Sequence, residues 1–570
     1  HMKSRDLVTL ALLVVLTACF SSQSEPSKQA ARSTPEATIP SPNTRSGPVF
    51  KPDRIEKVTE PADGWLASGC ELPQEYVTRI WRGFRPDRSP EIMVVPREPN
   101  IIGAFTGQAH SGPWPYLQDV PLVFYGPGFI RATGEIEIDR EVTLADIAPT
   151  FAELLEVPPP NDIGRPIHDV LVPADERPGR PALIVTVVWD GGGDNVLNAW
   201  PDAWPELANL IAKGSAVTNA TVGSSPSITP AVHATIGTGA FPKQHGIVGI
   251  VQGLGDTTTD SFPDGSPEFM ELPTLADTYD QAEGNDAKVG LVAFLNWHLA
   301  MMGQGSQYPG GDKDIAAIIA PDESIIHGPD VYSLPEYMTD IEGLEAAVRE
   351  VDLADGKADN QWMGRSLTEL DSRRDSPAWI LHQTTLIKNL IRKEGFGKDG
   401  TPDLFFTNYK QLDRMGHISN MLSREVRSTL RYTDAELEVL TRFFDRVVGP
   451  ERWVMVVTAD HGQGPLPEVA RAWPINQGEL LSDLAARFGG TPGQLVTMRT
   501  NIGYWFENDY LSSIGATLEQ ISDFFVNYRL EDNVKDGAEI PAQYRSRGHE
   551  PVFSAAFPSD RLPEILKCSG

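Results

Sequence analysis

Three stretches of this chain end an apolar run in side chains able to ligate a metal, and a fourth offers a hydroxyl able to attack an electrophile. "VVTADHGQG" (456–464) sets Asp460 and His461 side by side after Val454, Met455, Val456 and Val457, a run whose length and β-branching read as a buried strand. "PALIVTVVWDGGGDN" delivers Asp190 at the end of a second such run, followed by three glycines that let the backbone turn or come close to a ligand. "PDLFFTNYKQLDRMGH" predicts a strand near 404–408 leading to Asp413 and His417, whose four-residue spacing puts both on one side of a turn. "GSSPSITPAVHATIGTG" predicts a helix with Pro230 at its first position and Thr229 as N-cap, so that a hydroxyl sits at the positive helix end where anions are stabilised. Taken singly, each is an ordinary cap or a packed histidine. Together they are carboxylates, imidazoles and one hydroxyl aimed at the ends of strands, where α/β sheets bind ligands.

These pieces resemble the alkaline phosphatase superfamily, and within it the type I phosphodiesterase/nucleotide pyrophosphatase branch. The resemblance rests on Asp190 after its strand, Thr229 four residues before His233, "GTGAFPKQHGIVG", the Asp413–His417 pair and "TADHG", over about 180–465 with a loose match between 255 and 400. It implies two Zn²⁺ ions, one held by Asp190, Asp460 and His461 beside a nucleophilic Thr229, the other by Asp413, His417 and a third ligand. "QAHSGPWPYLQDVPLVFYGPG" (108–128), then "DIAPTFAELLEV" and "GRPIHDVL", resemble the family's closing segment yet stand upstream of Asp190. The chain thus reads as circularly permuted, with 55–171 as the displaced segment, 180–570 as the main part of the catalytic domain, and His110 rather than His549 as the third ligand. Where phosphodiesterases of the family carry an asparagine after the "HGI" turn, this chain has Ile250, with Gln252 nearby. A Cys-x-Pro-x-Arg sulfatase signature is absent from the sequence.

The elements required to position these residues are those of an α/β/α sandwich around one large, mainly parallel sheet, with a cap at about 255–400 in which Trp297 and Met301 read as core. In 570 residues with 40% hydrophobic and 22% charged side chains there is ample material for that core. A net charge of -30, from 78 acidic against 48 basic residues, argues against nucleic-acid binding but not against an anionic substrate held by a dication. His1 reads as a cloning remnant. Lys3 and Arg5 before the apolar run 7–16 read as a signal peptide (1–18), and "LTAC" resembles a bacterial lipobox with Cys19 as the lipidated residue. Residues 19–54, rich in Ser, Pro and Thr, read as a disordered tether. The protein is expected outside the cytoplasm, held to a membrane by lipid alone, with a small phosphorylated substrate and no protein partner inferred. There Cys70 and Cys568 form either one disulfide or two independent thiols, and the oxidising compartment favours the bridge. The expected function is hydrolysis of phosphoric esters, diesters first. The alternatives are a monoesterase or phosphonate-type hydrolase with the same site, or a degenerate metal-binding lipoprotein without catalysis.

Overall fold

A computed structural model describes residues 64–102, 110–464, 467–535 and 538–570; the signal peptide, Cys19 and the tether lie outside the described residues. Nine strands form the main sheet: β1 (Leu122–Tyr125), β2 (Gly134–Ile136), β3 (Leu183–Trp189), β4 (Ser215–Val217), β5 (Val289–Phe294), β6 (Ile315–Ile319), β7 (Ile325–Ile326), β8 (Asp403–Tyr409) and β9 (Trp453–Thr458). Their spatial order is 7-6-5-8-3-9-1-4-2. The five neighbours β6, β5, β8, β3 and β9 are all parallel. β1 closes on β9 antiparallel, with Val457 opposite Val123.

These central strands are near-continuous apolar runs because both faces are covered. Along β3, Leu183, Val185, Val187 and Trp189 join one core cluster while Ile184 and Val188 join the other, the two-residue period of a strand. On the Ile184 side lie α1 (Ile147–Leu155) and α2 (Thr229–Thr238), and on the Trp189 side α3 (Ala378–Glu394) and α5 (Arg424–Val447). Between β8 and α5 runs the short helix α4 (Gln411–Ser419). Full burial of each Val, Leu or Ile in these layers is worth about 1.5–3 kcal/mol. The sheet is therefore a rigid frame whose five parallel C-terminal edges lie together.

The large, mainly parallel sheet is as expected, one expectation changes, and a second sheet is added. The stretch 255–400 is not simply a cap: β5, β6, β7 and α3 all come from it, and Val289–Phe294 is as wholly buried a run as β3. A second, four-stranded sheet, in the order Val496–Arg499, Gly503–Phe506, Ile92–Pro96, Phe553–Pro558, joins residues from both ends of the chain. Beside it Cys70 and Cys568 are disulfide-bonded, tying helix Trp65–Cys70 to helix Leu562–Cys568. Among the described residues no helix is long and apolar enough to cross a membrane.

Behind β8, the Tyr409 hydroxyl bonds Thr384 on α3 at 2.8 Å, and Glu436 on α5 packs into the same layer at 9% exposure. Burial pushes the Glu436 carboxyl up to about 7, against the opposing pull of the Thr384 hydroxyl and Lys388. The folded protein therefore keeps this proton up to about pH 7, whereas the unfolded chain releases it near pH 4.5. Stability from this group is full below pH 4.5 and lost as pH rises through 7, by up to about 3 kcal/mol. Glu436→Gln should accordingly raise the denaturation midpoint at pH 8 and leave it nearly unchanged at pH 4, read from paired urea melts. An equal effect at both pH values would contradict this.

Candidate functional site

The seven side chains singled out in the sequence meet at the C-terminal edge of β3, β8 and β9. Asp190 follows β3, Lys410 and Asp413 follow β8, and Asp460 and His461 follow β9. Register places Tyr409 opposite Trp189 and Thr458 opposite Val188, so the acids emerge from adjacent strands at one level. Gly191 makes the turn after Asp190 at φ +67°, and a Cβ there would stand 3.0 Å from the Asp413 backbone. Its N–H donates to Asp460 Oδ1 at 3.0 Å. Gln463 straps the same turns, its amide donating to Gly191 O at 2.9 Å and Leu412 O at 3.2 Å.

Thr229 is the first residue of α2 rather than its cap; Ile228 takes the cap position in extended conformation and Pro230 enters the first turn. The Thr229 hydroxyl is thereby released from capping and accepts from the Lys410 ammonium at 3.1 Å. Lys410 also donates to Asp190 Oδ1 and Asp413 Oδ2, both at 2.8 Å. Burial disfavours its charge, but Asp190, Asp413 and Asp460 outweigh that and hold it protonated.

Two donor sets flank this lysine. In the first, His110 Nε2 and His417 Nε2 lie 3.7 and 3.2 Å from Asp413 Oδ1. In the second, His461 Nε2 lies 3.6 Å from Asp190 Oδ1 and 3.5 Å from Asp460 Oδ2. Ligand atoms bound at about 2.0–2.1 Å around a tetrahedral ion stand roughly 3.3 Å apart, so these spacings suit a shared cation better than direct hydrogen bonds. The imidazoles are set for it. His110 Nδ1 donates to Ser227 O at 2.9 Å and His461 Nδ1 to Gly462 O at 2.8 Å, which leaves each Nε2 as a lone pair facing the acids. The two rings stack with centroids 3.5 Å apart.

Electrostatics points the same way. Asp460 Oδ2 and His461 Nε2 are buried without a hydrogen-bond partner among the described residues. Burial, then the charge of Asp190, pushes Asp460 up to about 7. Burial acts on Asp413 too, yet His417 and Lys410 pull it well below the ordinary carboxylate range. Asp190 is likewise held low against burial, chiefly by Lys410. Burial also depresses His110 strongly, with the neighbouring His461 adding to it, which keeps its ring neutral and able to ligate. Both donor sets therefore fit a divalent ion of the zinc type, which takes carboxylate and imidazole together.

Residues the sequence reading left outside the site support Asp190 from behind. Asn408 donates to Asp190 Oδ2 at 3.0 Å and to His233 Nε2 at 2.8 Å, while His233 Nδ1 bonds the Thr229 carbonyl at 2.7 Å. His298 Nε2 lies 3.3 Å from Asp190 Oδ2, delivered by a turn in which Leu295 has φ +72°. The available signal was its position just past the apolar strand β5, as Asp190 stands past β3. Gln252 accepts from Ser261 at 3.2 Å within its own hairpin. His549 is exposed, with its carbonyl bonded to Arg529.

The model of the type I phosphodiesterase / nucleotide pyrophosphatase family matches residues 184–560, well over half of the chain. The alkaline phosphatase PafA of Elizabethkingia meningoseptica is 21% identical over 405 residues, covering 60% of this chain and 72% of that protein. The crystal structure of wild-type PafA aligns at 18% identity over 66% of this chain and 84% of that one, with a TM-score of 0.48. Phosphonoacetate hydrolase from Sinorhizobium meliloti 1021, in complex with phosphonoacetate, aligns at 18% identity over 50% and 57%, with a TM-score of 0.28.

His110 lies outside the matched span, yet it faces Asp413. Removal of a ligating imidazole should loosen its ion by about 10- to 100-fold or more, whereas removal of an exposed one should do nothing. His110→Ala is expected to lose one equivalent of zinc on dialysis and His549→Ala to keep the wild-type content, measured by elemental analysis. The reverse outcome would remove His110 from the site.

Proposed function

We propose, for a chain that belongs to the type I phosphodiesterase/nucleotide pyrophosphatase family of the alkaline phosphatase superfamily and is a phosphoric-ester hydrolase, that Thr229 is its nucleophile and that two zinc ions serve the reaction. The observation that carries this reading is the Thr229 hydroxyl, freed from capping at the N-terminus of α2 and bonded to Lys410 between the His110/Asp413/His417 cluster and the buried side chains of Asp190, Asp460 and His461. Asp190, Asp460 and His461 would hold the ion beside Thr229, and His110, Asp413 and His417 the other. When bound, such ions supply Lewis acidity, lowering the pKa of the hydroxyl and drawing charge from the leaving oxygen.

The chain's own groups do the rest. Thr229 gives up its proton to solvent and its Oγ attacks phosphorus, while the bond from phosphorus to the ester oxygen breaks on the opposite side. The departing oxygen takes a proton from water and leaves as the alcohol. Water then attacks the phosphothreonine, the Thr229 Oγ–phosphorus bond breaks, and Thr229 regains a proton. The Lys410 ammonium, buried like Thr229 itself, donates to Oγ and steadies the alkoxide. The first turn of α2 offers N–H groups outside the helix ladder to a phosphoryl oxygen. Asn408 and His233 fix Asp190 and the Thr229 backbone so that neither shifts as charge moves.

The substrate we propose is a small phosphodiester. The relative named an alkaline phosphatase favours a phosphomonoester as the second reading. We also propose that the protein is exported and lipid-anchored at Cys19, and that 55–171 is a permuted part of the catalytic domain. Support for the permutation is that β1 and His110 come from that stretch and yet border β9 and Asp413.

Thr229→Ala should lower turnover of aryl phosphate mono- and diesters by at least about a thousandfold, the scale on which loss of an activated nucleophile acts. Its zinc content and melting temperature should stay close to wild type, and Thr229→Ser should recover much of the rate. Near-wild-type turnover by the alanine variant would refute the assignment, and the ratio of diester to monoester rates in wild-type protein decides between the two substrate readings.

A further inference from the structure

Lys410 is an unusual occupant for a site built of metal-ligand side chains. It is 5% exposed, and its backbone is fixed at the junction of β8 with α4, where it takes the N-cap position. Lysines are almost never buried so fully unless paired, and this one is paired with Asp190, Asp413 and the Thr229 hydroxyl at once.

The oxygens it takes are unequally distributed. Of Asp413 it uses Oδ2, leaving Oδ1 to His110 and His417, so the histidine-rich donor set is complete with the lysine in place. Of Asp190 it uses Oδ1, the oxygen that also faces His461, and it holds the Thr229 hydroxyl as well. The Thr229-side set thus has two of its atoms engaged by an ammonium. A second dication on the Thr229 side would compete with the ammonium for the same oxygens and be repelled by it.

We propose that Lys410 is the resident cation of the Thr229-side pocket, so that the protein holds one tight divalent ion at His110, Asp413 and His417 and binds a second more weakly, against the Lys410 ammonium. This rests on the metal-dependent reading above and refines its stoichiometry. It gives Lys410 a positioning role: with one ion bound, the ammonium itself orients the Thr229 hydroxyl.

The test is a titration of metal-stripped full-length protein with Zn²⁺ alone, by calorimetry and by equilibrium dialysis with elemental analysis. Wild type should bind in two steps, the first at least about a hundredfold tighter than the second, the scale of a lost or blocked ligand partner. Lys410→Met should tighten the second step by tenfold or more, and Lys410→Arg, which keeps the charge, should not. The wild-type titration stands even if the methionine variant, with its unmatched carboxylates, does not fold without metal. Two ions of equal affinity in wild type, or a second step unchanged in a folded Lys410→Met protein, overturns the inference and leaves the metal-dependent reading standing. Absence of any tight ion in wild type removes both.

Discussion

Three carboxylates buried at the ends of three adjacent strands are the constraint around which this molecule is organised. Asp190, Asp413 and Asp460 are each 3% exposed or less, and moving such groups out of water costs several kcal/mol apiece unless cations and hydrogen bonds replace the solvent. Almost every local peculiarity of the site answers that cost. Lys410 bridges two of the acids, the Gly191 N–H and the strap from Gln463 hold the turns, and Asn408 and His298 close on the far oxygen of Asp190. What stays unanswered among the described residues, Asp460 Oδ2 and His461 Nε2, is what a divalent ion would satisfy.

The parallel sheet makes this concentration of charge affordable in geometric terms. Because β8, β3 and β9 run the same way in register, their following residues arrive at one edge without long connecting loops. Core packing on both faces then fixes the strand ends, and the acids inherit that rigidity. The segment from 110 to 155 takes part equally: β1 seals the free edge of β9, and His110 is anchored to Ser227, two residues before Thr229. Thr229, one donor set and the upstream segment are therefore mechanically one unit.

Much of this was legible in the sequence because apolar runs ending in acids are a local signal. Asp190, Asp413, Asp460 and His461 could be read from the residues immediately before them, and Thr229 from the proline after it. His110 required more, namely the strand and helix that follow it in the order a known family uses. The capping role expected of Thr229 was misplaced by one residue, since Ile228 enters the helix extended and frees the hydroxyl. Lys410 and Asn408 escaped because their roles depend on which strands become neighbours, which no spacing along the chain encodes, and His298 left only the weaker signal of standing just past the apolar run of β5. For the same reason 255–400 read as a cap: the two-residue alternation that splits β5 between two cores has meaning only once β6 and β8 lie on either side of it. The four-stranded sheet, drawn from residues more than 400 positions apart, left no local trace at all.

The central claim is that Thr229 carries the phosphoryl group between substrate and water. The most direct measurement is acid quenching of the protein during turnover of an aryl phosphate, followed by proteolysis and mass spectrometry of the peptide containing residues 223–239. This account predicts one phosphoryl group on Thr229, absent before substrate is added and lost on neutralisation under native conditions. A phosphoryl group on another residue, or none on any residue while hydrolysis proceeds through an enzyme trapped at saturation, would contradict it.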